Sequence, residues 1–249
     1  MITKDDFLGG RIILFQPKKG YRVTSDSVFL AASLNLKHAE RILDVGAGSG
    51  AILSCLAARL SENLKNITMH GIEIQSDLLS LANENALNNG YAENISYYQS
   101  NILDDTIYCE PNSYHHVVSN PPYYEKEKIK PSPYISKATA QSGDNINLDI
   151  WIKRCLRMVR PQGYLTLIHR ADRLDDIISS LMPKAGSITV FPFWPAKDKD
   201  ANRVIIRAQK DAKGFLSLKS GLIVHKSDGK YTPTAEKILR HGHSLDILK

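Results

Sequence analysis

The sequence predicts an α/β protein with a mostly parallel sheet that is covered by helices on both faces. Two observations support this prediction. Strand-like and helix-like stretches alternate through the middle of the chain, and a glycine-rich turn joins the first of these strands to the helix after it. The chain has 249 residues, of which 43% are hydrophobic and 23% charged. These values are typical of a globular protein with room for a sizeable core.

The predicted elements follow one another without an internal repeat or a Gly/Ser linker. The strands are short apolar or β-branched runs, expected over 11–15, 42–45, 67–74, 95–98, 115–119 and 164–168. The helices have apolar residues at helical spacing and end near Gly or Pro, and they are expected over 51–60, 77–89 and 148–159. Thr24 or Ser25 is expected to cap an early helix, and Asp172 a helix that runs to about residue 181.

The last third of the chain predicts a further strand pair and a tail. Strands over 187–191 and 204–208 flank the polar loop 194–202, and we expect a hairpin-like pair at a sheet edge. The tail predicts a strand over 222–225 and a short helix over 234–240. We therefore expect one domain, made of an N-terminal segment 1–40 (strand plus helix), a core 41–210 and a basic extension 211–249.

Composition and charge narrow the classes of function. Three scattered thiols, Cys55, Cys109 and Cys155, argue against a disulfide scaffold or a cysteine-based metal site. No apolar run reaches membrane-spanning or signal-peptide length, so we expect a cytoplasmic protein with no membrane or metal partner. Residues 184–249 hold 13 Lys and Arg against 6 Asp and Glu, in a chain whose net charge is +6. This concentration favours a nucleic-acid partner, and a solvated surface is the alternative.

The glycine-rich turn after the strand expected over 42–45 predicts a nucleoside cofactor. It reads Asp44-Val45-Gly46-Ala47-Gly48-Ser49-Gly50-Ala51, and its glycines allow a sharp backbone turn and close approach of a ligand. Glu73, near the end of the next strand, can accept hydrogen bonds from ribose hydroxyls. The pattern does not identify the cofactor. Gly46, Gly48 and Ala51 also match the dinucleotide-binding fingerprint if alanine is allowed in place of its third glycine.

The strand expected over 115–119 runs into Asn120-Pro121-Pro122-Tyr123, at the edge of the sheet where the ligand crevice is expected. The two prolines remove two backbone donors and leave carbonyls that only accept. A target amino group can give one hydrogen to the Asn120 side-chain oxygen and another to the Pro121 carbonyl. Tyr123 offers a flat face to a planar base. Methyl transfer from a sulfonium to such a nitrogen needs positioning more than a strong base.

With these motifs the sequence resembles the class I S-adenosylmethionine-dependent methyltransferases that methylate amino groups through Asn-Pro-Pro-Tyr. Three further segments resemble the bacterial tRNA-valine adenine-37 N6-methyltransferase family, so that the likeness spans nearly the whole chain. These segments are 16–27 (QPKKGYRVTSDS), 168–174 (IHRADRL) and 231–236 (YTPTAE). The resemblance implies a Rossmann-like, seven-stranded sheet whose seventh strand is antiparallel. It also implies an adenine in RNA, with tRNA the first candidate, flipped toward Asn120.

The resemblance also implies roles for residues of the cofactor site. Asp44, Gly46, Ala47 and Gly48 would surround the methionine part of S-adenosylmethionine, Glu73 its ribose, and Asn120 would lie beside the methyl group. Asn101 and Ile102 would flank the cofactor adenine. Many relatives carry aspartate at position 101. The amide oxygen of Asn101 can accept from the adenine amino group in its place, and Asp104 is the fallback.

Basic residues in two loops are candidates for RNA contacts. Lys126 and Lys128 follow the Asn-Pro-Pro-Tyr motif, and Lys197, Lys199 and Arg203 follow the strand expected over 187–191. The sequence does not decide between a monomer and a homodimer.

It also leaves other functions possible: methylation of a protein glutamine, methylation of a guanine amino group in ribosomal RNA, a noncatalytic RNA-binding module and an NAD oxidoreductase. The glutamine-methylating relatives typically carry a separate helical domain, for which the roughly 40 residues before the first sheet strand are too few.

Overall fold

The structure, a computed structural model, describes residues 1–36, 39–60, 64, 66–104, 108–122 and 147–249. Its strands are β1 Ile2–Phe7, β2 Ile12–Pro17, β3 Arg41–Val45, β4 Thr68–Glu73, β5 Ile95–Gln99, β6 Tyr114–Ser119, β7 Val159–Arg170, β8 Ala185–Trp194, β9 Arg203–Lys210, β10 Ser217–Leu218 and β11 Leu222–Ile223. Its helices are α1 Ser25–Ala32, α2 Ala51–Leu60, α3 Ser76–Asn88, α4 Leu148–Met158, α5 Leu174–Leu181 and α6 Pro233–His241.

The central sheet has the strand order β10-β8-β9-β7-β6-β3-β4-β5, and β11 also pairs with β8. Neighbouring strands from β7 through β6, β3 and β4 to β5 are parallel. β9 lies between β7 and β8 and is antiparallel to both. The predicted α/β class and the antiparallel last long strand are therefore confirmed. Two short strands lie beyond the seven expected ones.

Two hydrophobic clusters cover the two faces of the sheet. One cluster contains apolar residues of α1, α2, α3 and α6, and the other contains apolar residues of α4 and α5. Side chains alternate along β3, so Ile42 lies in the first cluster while Leu43 and Val45 lie in the second. β3 is covered on both faces, and among its four buried residues Asp44 is the single charged one.

The N-terminal segment holds more structure than the sequence predicts. β1 pairs with β2 in an antiparallel hairpin that is separate from the central sheet. β1 reads Ile-Thr-Lys-Asp-Asp-Phe and exposes every second residue, so it carries little of the apolar pattern that marks a strand. Thr24 caps α1, as expected, by accepting a hydrogen bond from the Asp26 N–H.

Two local predictions are wrong. Asp172 does not cap α5, because it lies in a short 3-10 turn over Ala171–Arg173 and its carboxylate is bound by Arg170. The pair β8–β9 is antiparallel, as predicted, but it does not form the edge of the sheet. β10 and β11 pair with the outer side of β8 and cover it. Each of these strands has only two residues. β11 lies within the strand predicted over 222–225, whereas β10 is too short to leave a period in the sequence.

Gly71 in β4 supports a test of the packing between neighbouring strands. A Cβ at this position would lie 2.4 Å from Cδ1 of Tyr97, the residue paired with it on β5. We expect Gly71→Ala to lower the free energy of unfolding by about 1–3 kcal/mol in denaturant titrations, because the ring fills this space. Adding Tyr97→Leu should recover part of this loss. Additive losses in the double variant would show that the ring contact is not the cause.

Candidate functional site

The carboxyl ends of three neighbouring parallel strands meet at one edge of the sheet. Val45 at the end of β3 pairs with Ser119 at the end of β6 and with Ile72 near the end of β4. The glycine turn, Glu73 and Asn120 follow these positions directly. The fold therefore brings together at one edge the two motifs that lie about 75 residues apart in the sequence.

Backbone N–H groups of the glycine turn already have protein acceptors. The N–H groups of Gly46 and Ala47 both donate to the Ile72 carbonyl, each over 3.0 Å. The Gly48 N–H donates to Oε2 of Glu73 over 2.9 Å. The turn is thus fastened to the end of β4, and these three donors are not free for a phosphate.

Gly46 and Gly48 meet the two conditions that require glycine. Both have positive φ, 75° and 57°, in the left-handed region that side chains disfavour. Aromatic rings also approach them closely. A Cβ at Gly46 would lie 3.3 Å from the Trp151 ring, and one at Gly48 would lie 3.0 Å from Cε1 of Tyr21. The side chain of Ala47, in contrast, packs into the core, and only its backbone faces the turn.

Asp44 is a fully buried carboxylate, and no described residue hydrogen-bonds either of its oxygens. Burial, with the charge of Glu73 as a second cause, raises the pKa of Asp44 to about 8. Glu73 is 6% exposed, and each of its oxygens accepts one backbone N–H, from Gly48 and from Gln75. Each of these oxygens keeps a second lone pair. No described residue pairs with Asp44, and Glu73 has capacity for two further donors.

Tyr21 contributes to this site, and the sequence analysis did not single it out. Its ring lies against Gly48. Burial raises the pKa of its hydroxyl, which hydrogen-bonds Ser27, and the charges of Asp44 and Glu73 add to this rise. Tyr21 lies within the segment 16–27 that carries the family resemblance, and that was the signal that could have identified it.

The end of β6 is held by hydrogen bonds among buried groups. The Ser119 hydroxyl donates to the Val45 carbonyl over 2.7 Å, and the Trp151 indole N–H donates to the same hydroxyl over 3.1 Å. Asn120 is partly buried, Pro121 is buried and Pro122 is exposed. This network fixes the backbone from which Asn120 and Pro121 project. Tyr123, Lys126 and Lys128 lie outside the described residues.

The residues after β5 form a small turn. The Asn101 amide oxygen accepts from the Leu103 N–H over 3.0 Å, and its amide nitrogen donates to Asp104 over 3.0 Å. Asp104 is exposed, and Ile102, only 3% exposed, packs into the second cluster. Asn101 therefore keeps one lone pair of its oxygen for a ligand, and the Ile102 side chain faces the core.

The three basic residues predicted to contact RNA in this loop differ in their surroundings. Lys197 and Lys199 are exposed and alternate along the chain with the exposed Asp198 and Asp200. Arg203 instead forms an ion pair with Asp26 of α1, with Nε and Oδ2 3.0 Å apart. This contact spans 177 residues of sequence, and it ties β9 to the helix after the N-terminal hairpin.

The described residues contain no helix with the length and apolar character needed to cross a bilayer. The same residues hold no group of three or more His, Cys, Asp or Glu side chains arranged to bind a metal ion.

Comparison with known proteins adds a family. A family model described as "Methyltransferase domain" matches residues 36–209. Relatives named tRNA1(Val) (adenine(37)-N6)-methyltransferase include one from Shewanella baltica, 28% identical over 89% of this chain and 91% of its own length. Another, from Actinobacillus pleuropneumoniae, is 22% identical over 96% of this chain and 98% of its own.

Solved structures share the fold. A predicted O-methyltransferase from Agrobacterium tumefaciens superposes with a TM-score of 0.72 at 21% identity, covering 89% of this chain and 98% of its own. A SAM-dependent O-methyltransferase from Thermotoga maritima gives a TM-score of 0.55 at 16% identity over 79% of this chain and 68% of its own. At such identities the likeness concerns the architecture alone.

Proposed function

Because the chain belongs to the methyltransferase domain family, by a match that covers residues 36–209, we propose that it methylates an adenine exocyclic amino group in RNA. S-adenosylmethionine is the methyl donor in this proposal, and tRNA is the first candidate substrate. The central observation is the position of Asn120-Pro121, which follow the end of β6 directly beside the glycine turn of β3. The relatives named as tRNA adenine N6-methyltransferases support the choice of nucleotide.

The described residues suit S-adenosylmethionine. Its methionine part carries an ammonium group, and the buried Asp44 carboxylate has no hydrogen-bond partner in the described part of the chain. Its ribose carries two hydroxyls, and each oxygen of Glu73 has a lone pair left. Gly46 and Gly48, with the Trp151 and Tyr21 rings against them, would form the wall beside the methionine part. When bound, the cofactor supplies a methyl group on a positively charged sulfur.

The acceptors at the end of β6 would orient the target nitrogen. The Asn120 side-chain oxygen and the Pro121 carbonyl can each accept one hydrogen of an amino group. Two such bonds turn the nitrogen lone pair away from conjugation with the ring and toward the cofactor side of the crevice. Positioning of this kind supplies most of what an in-line displacement needs, so no strong general base is required.

The glycine turn disfavours an NAD oxidoreductase. A dinucleotide places its pyrophosphate on free backbone N–H groups of such a turn. Here the N–H groups of Gly46, Ala47 and Gly48 already bind Ile72 and Glu73. A cofactor without phosphate has no need of these donors, which favours S-adenosylmethionine.

RNA docking at the basic loop gives a second testable prediction. We expect Lys197→Ala with Lys199→Ala to weaken RNA binding and to lower the slope of log affinity against log salt by about 2, because each phosphate contact contributes about 0.9. Fluorescence titrations at several salt concentrations measure this slope. Arg203→Ala is the comparison, because its ion pair with Asp26 predicts a loss of stability in addition. An unchanged salt slope in the double lysine variant would place RNA docking elsewhere.

Labelled methyl transfer tests the function itself. The protein is incubated with methyl-labelled S-adenosylmethionine and, in parallel, with unmodified tRNA, bulk RNA, DNA or protein extract, and labelled nucleosides are identified by mass. We expect N6-methyladenosine in tRNA. Label confined to protein would favour glutamine methylation, and N2-methylguanosine would move the substrate to another base. RNA binding without turnover would favour the noncatalytic module.

A further inference from the structure

The N-terminal hairpin is held to the rest of the molecule by side chains instead of by a strand. β2 pairs with β1 along one edge. Along its other edge, the backbone groups of Ile13 and Phe15 meet two asparagines of the α3 region, Asn85 and Asn89. These lie four residues apart and so on one face of the helix, which matches the two-residue repeat of a strand edge.

Both asparagines bind the strand through a pair of hydrogen bonds. The Phe15 N–H donates to the Asn85 amide oxygen over 2.7 Å, and the Asn85 amide nitrogen donates to the Phe15 carbonyl over 3.0 Å. Asn89 repeats the arrangement on Ile13, with distances of 2.9 and 2.8 Å. The two amides thus take the place of a neighbouring strand.

Asn85 makes one contact that Asn89 does not share. Its amide nitrogen also donates, over 2.9 Å, to the carbonyl of Ser49, which lies in the glycine turn. The Asn85 side chain is fully buried. A single amide therefore ties the hairpin and the glycine turn to α3, in a setting where a lost hydrogen bond leaves buried backbone groups unpaired.

The hairpin leads into the segment that carries Tyr21. Two contacts fasten this segment to the hairpin: Arg22 binds the Asp5 carboxylate over 2.9 Å, and the Val23 N–H donates to Gln16 over 2.7 Å. The ring of Tyr21, the residue before Arg22, lies against Gly48. The position of the hairpin therefore sets the distance between Tyr21 and the glycine turn.

We propose that Asn85 is a positioning residue of the cofactor site, which holds the Ser49 carbonyl and the hairpin together so that Tyr21 stays over the glycine turn. The proposal rests on S-adenosylmethionine as the cofactor. It assigns Asn89 a different task, attachment of the hairpin alone. The two asparagines form a matched pair, because each binds one residue of β2 through two hydrogen bonds and only Asn85 reaches the turn.

Calorimetric titration with S-adenosylmethionine separates the two roles in full-length protein. We expect Asn85→Ala to raise the dissociation constant about tenfold or more, and Asn89→Ala to change it less than about twofold. Thermal unfolding should show a larger loss in Asn85→Ala, because the Asn85 amide is fully buried and Asn89 is half-buried, so the titrations are run well below both melting temperatures. In turnover assays, the KM for S-adenosylmethionine should rise in Asn85→Ala while the KM for RNA stays constant. A merely structural role would weaken cofactor binding equally in both variants.

Amide hydrogen exchange on the wild-type protein tests the same link without a substitution. Addition of S-adenosylmethionine should slow the exchange of amides in 13–24 together with those of the glycine turn. Protection of the turn alone, or equal loss of binding in both variants, overturns the role of Asn85 and leaves the proposed function intact. A wild-type protein that does not bind S-adenosylmethionine overturns both.

Discussion

Asn120→Ala is expected to reduce methyl transfer at least about 100-fold while leaving S-adenosylmethionine binding and the melting temperature near those of the wild type. The reason is that the Asn120 side chain is assigned to the target nitrogen, an interaction made only when substrate is present. Its backbone is held independently by the Ser119 contacts to Val45 and Trp151, so the crevice should keep its shape. Single-turnover methylation, cofactor titration and thermal unfolding together measure the effect.

The control for this variant is Asn83→Ala, on the exposed face of α3, where the amide bonds only the carbonyl one helical turn earlier. It should keep full turnover. If Asn120→Ala also kept full turnover, the target nitrogen would have to bind elsewhere. If it lost cofactor binding in proportion to turnover, Asn120 would belong to the cofactor wall instead.

Asp44→Asn is expected to weaken S-adenosylmethionine binding at least about 30-fold, the equivalent of about 2 kcal/mol, because it removes the buried partner of a ligand cation. The same variant should stabilise the cofactor-free protein at pH 8. The buried Asp44 carboxyl has a pKa of about 8, against 3.8 for an exposed one. The folded state therefore holds a proton that the unfolded state has released, and stability falls as the pH rises through that interval.

The ionised form of Asp44 is the one that pairs with a cation, so cofactor binding should release this proton. We expect the wild-type affinity for S-adenosylmethionine to rise between pH 6 and pH 8, and calorimetry in buffers of different ionisation enthalpy to report proton release. Asp44→Asn should remove this pH dependence. A pH-independent wild-type affinity would mean that Asp44 is not the partner of the ammonium group. Glu73→Gln, which alters the ribose acceptor, serves as a comparison.

Local sequence patterns predicted the bounds of four elements, α2, α3, β3 and β4, to within about one residue. Residues 51–60 form α2 as predicted, and the bounds of β3, β4 and α3 differ by about one residue. Glycine, proline and apolar periodicity act on the backbone nearby, so a single sequence reveals them. The same reasoning missed β1, which is half exposed, and β10, which has two residues.

The site divides in the same way. The sequence alone predicted that Asp44, Glu73 and Asn120 lie near the carboxyl ends of parallel strands, which meet at one edge of a sheet. It did not reveal that Arg203 forms an ion pair with Asp26, or that the Asn101 side chain hydrogen-bonds within its own turn. Those outcomes depend on which polar group each side chain meets after folding, and for Arg203 that partner is 177 residues away.

Residue types at short spacing are enough to predict the fold class and the two motifs from which the reaction is inferred. The side chains that line the crevice, and the electrostatics of the crevice, depend on the folded structure. Burial leaves Asp44 without a partner among the described residues, and packing brings Tyr21 against Gly48. Asn85 joins Phe15 to Ser49. Desolvation and long-range hydrogen bonds arise only when distant segments meet, so no local pattern records them.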